Sequence, residues 1–149
     1  MIRTVARLSI LAFALPRAGA SARGTRTFNE AYETGIQTFP HESFMVAWIP
    51  LEKGYTIDQA GGYPLPEDLT PTSWALGKAM SAAEKKPVTL VIAGPESAES
   101  RKALVAATQL VHHMLPHLRV LFLGDSQDLA IVRFAVEKVG GEIVDPSLN

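Results

Sequence analysis

Val88-Thr89-Leu90-Val91-Ile92-Ala93-Gly94-Pro95 and, after a stretch with helical spacing, Leu118-Arg119-Val120-Leu121-Phe122-Leu123-Gly124 are the two runs on which the fold turns. Each is a short, nearly continuous apolar segment closed by glycine. A strand with one wet face alternates apolar and polar residues, so runs like these predict strands buried on both faces of a parallel sheet. Between them, residues 96–115 place Leu104, Ala107, Val111 and Met114 on one stripe and Arg101, Thr108 and His112 on the opposite face, with Pro116 as the stop. That spacing predicts an amphipathic helix. After Gly124, Asp125 or Ser126 is placed to cap a further helix, with Asp128 in its first turn. This helix runs to Val139 and is apolar round much of its circumference, through Leu129, Ile131, Val132, Phe134, Ala135 and Val136. Arg133 and Glu137 are spaced to pair on its wet side. Gly140-Gly141 ends it, and residues 142–144 make a last short strand before Asp145-Pro146. The order strand-helix-strand-helix-strand over residues 87–145 predicts an α/β fold, a small Rossmann-like three-layer unit with a parallel core and right-handed crossovers.

Toward the N-terminus, Phe44-Met45-Val46-Ala47-Trp48-Ile49 is one more apolar run, closed by Pro50, and predicts an extra strand at 44–49. Thr70-Pro71 suits an N-cap followed by proline at the first helical position, and predicts a helix over 70–86 that buries Leu76, Met80 and Ala83. Residues 51–69 hold Gly54, Gly61-Gly62, Pro64 and Pro66, and read as a long irregular segment. Residues 23–43 read as a polar arm in which Phe28 to Tyr32 makes one helical turn. The domain proper is therefore expected over 44–149.

Residues 1–22 have the layout of a secretory signal: Arg3 and Arg7, a short apolar run from Leu8 to Leu15, then small-x-small sites closing at Ala20 and Ala22. The run is too short to cross a bilayer as a helix. The absence of any acid before Glu30, against Arg3, Arg7, Arg17, Arg23 and Arg26, fits a mitochondrial presequence as well. The expected address is periplasmic or secreted, with the mitochondrion as the alternative.

The 149 residues are 47% hydrophobic and 19% charged, with a formal net charge of −1. A globular domain follows, without the basic field that nucleic acid binding uses. Removing residues 1–22 takes away three arginines and no acid, leaving a mildly acidic body with no stable membrane span. The chain has no cysteine, which removes disulfides, thiolate nucleophiles and zinc–thiolate sites together.

Ligands of an open parallel sheet bind beyond the carboxyl ends of its strands. Gly94 and Ser97 after one strand, and Gly124, Asp125 and Ser126 after the next, are the candidate ligand-binding residues, since both loops enter helix N-termini that favour anions. Neither loop carries G-x-G-x-x-G or G-x-x-x-x-G-K-[ST], so no cofactor is expected. Leu123-Gly124-Asp125-Ser126 resembles the nucleophile block of the GDS(L) esterases over four residues. That family's Asp-x-x-His block has no counterpart here, because no histidine follows Ser126; its catalytic residues are not carried over. His112, His113 and His117 lack a carboxylate or thiol at ligand spacing, and no metal is expected. Tyr55 and Tyr63, in the irregular segment, are the candidate partner-binding residues. The resulting expectation is an exported, non-enzymatic domain that binds another protein or self-associates through an open sheet edge. Its alternatives are a small-molecule or anion binder, or an enzyme, at Gly94 and Gly124, or a structural subunit of an organellar assembly.

Overall fold

In the computed structural model, which describes residues 27–51 and 70–145, the elements follow as α1 (Phe28–Thr38), β1 (Met45–Trp48), α2 (Pro71–Ser81), β2 (Val88–Ala93), α3 (Ser97–Gln109), β3 (Leu118–Phe122), α4 (Ser126–Lys138) and β4 (Glu142–Ile143). The strands form one sheet in the order β1-β2-β3-β4, with every neighbouring pair parallel. The predicted α/β class, parallel core and extra strand are all present. Tyr55 and Tyr63, and the expected targeting segment at residues 1–22, lie outside the described residues.

Strand residues alternate between two cores, as the pleat requires. Ala47, Leu90, Ile92, Val120, Phe122 and Ile143 face one side, where they meet Leu76 and Met80 of α2, Leu104 and Ala107 of α3, and Val132 and Val136 of α4. Val46, Trp48, Val91, Ala93, Leu121 and Leu123 face the other side, against Ala31 of α1 with Phe39 and Phe44. Leu76, Leu90, Ile92, Leu104 and Leu118 are almost wholly buried, each worth about 2 kcal/mol of apolar transfer. All three crossover helices thus lie on one face. That follows when each parallel connection steps to the next strand in the same direction with the same hand.

The caps explain the helix limits. Thr70 Oγ1 accepts from Ser73 N–H while Ser73 Oγ accepts from Thr70 N–H, a reciprocal box at the predicted start of α2. At the end of α4, Gly140 takes φ +88°. Its N–H donates to Glu137 O and that of Gly141 to Val136 O, the paired bonds of a Schellman stop.

Four expectations need correction. Most of the supposed arm beyond Thr27 is α1, closed by a second reciprocal box between Thr27 and Glu30 and packed on the sheet through Ala31 and Gly35. α3 ends at Gln109, six residues early. Leu110 N–H and Val111 N–H tighten onto Ala107 O and Thr108 O, and the chain turns so that Leu115 enters the core with its N–H on Val139 O at 2.6 Å. Met114 therefore leaves the apolar stripe and is 60% exposed, while Thr108, assigned to the polar face, is buried. On α4, Ile131 and Phe134 are exposed rather than packed. The Arg133–Glu137 pair is absent from the ion pairs among the described residues.

Candidate functional site

Because β2 pairs with β3, the loops at Gly94 and Gly124 are neighbours at the carboxyl edge of the sheet. The strand order never reverses, so among the described strands there is no switch point to open a crevice of the usual α/β kind. The polar groups at this edge turn toward one another instead. Ser97, at the first position of α3, donates through Oγ to Asp128 Oδ2 at 2.5 Å and accepts from Asp125 N–H at 2.8 Å. Asp128 Oδ1 lies 3.1 Å from Arg101 Nε. The pair is held by charge more than by direction, since that N–H is not aimed at the oxygen and makes no hydrogen bond.

The two glycines are explained by close approach. A Cβ on Gly124 would stand 2.5 Å from Ser97 Oγ and 2.5 Å from the Phe122 ring. One on Gly94 would press into the Ile49 carbonyl oxygen and lie 2.9 Å from Ser100 Oγ. Gly94 therefore lets the end of β1 lie against β2 and the start of α3. Asp125 occupies the N-cap position of α4 without a side-chain cap bond. Ser126 follows it, exposed, and takes no part in the Ser97–Asp128 bonds.

Of the sequence candidates, the structure brings together Gly94, Ser97, Gly124 and Asp125, and leaves Ser126 apart. It adds Asp128, Arg101 and the fully buried Ser100, whose hydroxyl has no hydrogen-bond partner. Ser97 and Arg101 are one helical turn apart, as Asp125 and Asp128 nearly are, but only the packing of α3 beside α4 makes the two pairs meet. Chemically the cluster is a latch. Ser97 Oγ both donates and accepts, its acceptor carboxylate is neutralised by arginine, and the amide of Asp125 is already used. An added anion at these helix starts would also compete with Asp128 and face Glu96, Glu99 and Asp125.

A second feature lies at the opposite end of the helical layer. Where α3 ends beside α4, a cleft of about 450 Å³ is floored by Val105, Val111, Ala135 and Val139. Phe134, 71% exposed, and Met114 form its walls, and Ile131, 45% exposed, lies one turn along α4 from Phe134. His112, His113 and Lys138 stand around it. No group of His, Asp and Glu among the described residues is placed to hold a metal ion, and no helix there is long and apolar enough to cross a membrane. Comparison with protein-family models, with curated proteins and with solved structures gives no match.

Proposed function

We propose that the chain is an exported, non-enzymatic α/β domain that works by binding another protein, as an assembly or adaptor component. The observation carrying the reading is the cleft between α3 and α4, where Phe134 and Met114 present large apolar side chains to solvent. Covering one such side chain is worth about 2 kcal/mol, and exposed apolar patches of this kind mark interaction surfaces. The edge strands among the described residues are short, four residues in β1 and two in β4, so the reading rests on the helical face rather than on edge pairing. The alternative, a small-molecule or anion site at Gly94 and Gly124, has the internal bonds of Ser97 and Asp128 against it.

The test is isolation of the native complex from the host under gentle conditions, comparing Phe134→Asp with Ile36→Asp. Ile36 is similarly apolar and exposed but lies on α1, across the sheet. Loss of one defined partner in the first variant alone supports the reading. A chain that migrates alone in both variants and in the parent refutes it. The mass of the mature N-terminus tests export: a start at Ser21 or Arg23 fits secretion, a start near Asn29 fits the organellar route, and an intact Met1 removes both.

A further inference from the structure

The rim of the α3–α4 cleft is chemically one-sided. Its ionisable residues are His112, His113 and Lys138, and no aspartate or glutamate lines it, although the chain as a whole carries a formal charge of −1. Glu99 and Asp128 sit in the first turns of α3 and α4 at the other end, while Glu137, exposed in the last turn of α4, lies outside the lining of the cleft. Helix C-termini carry partial negative charge that opposes an anionic partner. Here two of those carbonyls are already engaged at the end of α3, by Leu110 and Val111 N–H, and two at the end of α4, by Gly140 and Gly141 N–H. What meets an incoming chain is an apolar floor, the Phe134 ring and a rim of N–H donors. A histidine donates at least one hydrogen bond in either charge state, and a lysine three.

We infer that the cleft takes an acidic amphipathic segment of a partner protein: a helix that lays a large apolar side chain on Val105 and Ala135 beside Phe134 and sets carboxylates against Lys138 and His112. The inference rests on the protein-binding reading above and adds the partner's chemistry to it. Helix-in-groove recognition supplies the affinity through the apolar anchors, and the rim charges choose between partners.

The probes are two synthetic amphipathic peptides with the same leucine and phenylalanine stripe, one flanked by glutamates and one by lysines. They are titrated into the isotope-labelled whole chain and followed by amide shifts. The glutamate peptide should bind about fivefold more tightly than its lysine twin, with shifts centred on residues 109–114 and 134–139, as a partly exposed ion pair to Lys138 allows. Lys138→Glu should narrow that preference about threefold or more. Phe134→Asp should weaken both peptides. Equal binding of the two, a preference for the lysine peptide, or shifts elsewhere overturns the inference. So does a concentration-dependent dimer dispersed by Phe134→Asp, which makes a second copy the occupant, or binding of the same face to phosphatidylglycerol vesicles, which makes it a lipid surface. Failure of this inference is distinct from failure of the functional reading. If Phe134→Asp leaves the native complex intact, the reading falls; if it breaks the complex while the two peptides bind alike, only the acidic chemistry falls.

Discussion

Gly94→Ala separates a packing role from a ligand role at the carboxyl edge of the sheet. The new methyl would collide with the Ile49 carbonyl oxygen and stand 2.9 Å from Ser100 Oγ. Ser100 Oγ can rotate away, but Ile49 cannot retreat freely, because its own N–H donates to Ala93 O at 2.7 Å. Forced overpacking of this kind costs about 1–3 kcal/mol, and straining that backbone bond adds up to about 1 kcal/mol. The loss of chain entropy in the unfolded state returns roughly 0.4–1 kcal/mol. The net expectation is about 1–3 kcal/mol of destabilisation, read by urea denaturation, with a fall in Tm of roughly 3–10 °C for a chain of this size. Ser100→Ala alone should be neutral or stabilising by up to about 1 kcal/mol, since it removes a buried hydroxyl with no partner. Combined with Gly94→Ala it should restore only a minor part of the loss, because the Ile49 carbonyl remains. A Gly94→Ala protein that denatures with the parent would refute the packing explanation and return Gly94 to the list of ligand contacts.

Ser126→Ala should change stability by less than about 0.5 kcal/mol in the same assay, since the hydroxyl stands after the N-cap and alanine is the better helix former. Asp128→Ala should destabilise by about 1–2 kcal/mol, as it strips the acceptor from Ser97 and the counter-charge from Arg101 in a partly screened site. A double-mutant cycle with Ser97→Ala should show coupling, and strict additivity would mean the latch is not formed. Gly140→Ala should cost about 1–2 kcal/mol, because a Cβ is disfavoured at φ +88°, while Gly141→Ala tests packing against Val136 rather than backbone conformation.

The local elements were legible because their causes are local. Continuous apolar runs ending in Gly94 and Gly124 specify β2 and β3, Thr70-Pro71 specifies the start of α2, and Gly140-Gly141 specifies the end of α4. The same sequence underestimated α1, whose small buried face of Ala31 and Gly35 looks polar until the Phe39 and Phe44 side of the sheet is there to receive it. It also carried α3 too far: the apolar spacing continues through Val111 and Met114, but burying Leu115 in the core turns the chain after Gln109. For the candidate site, the strand-end loops were predictable as places and not as chemistry. Ser97, Asp125 and Asp128 lie on two elements 28 to 31 residues apart, and only the pairing of β2 with β3 and the packing of α3 on α4 bring them within bonding distance. The exposed Phe134 was hidden for the opposite reason. A helix apolar round most of its circumference reads as buried, and it takes the tertiary structure to show that α4 closes one end of the helical layer and keeps part of that surface facing out. Composition and periodicity set the fold class and most of the elements, since these depend on near neighbours. Which polar groups satisfy one another and which apolar groups are left uncovered depend on contacts between distant segments, and the folded chain alone decides them.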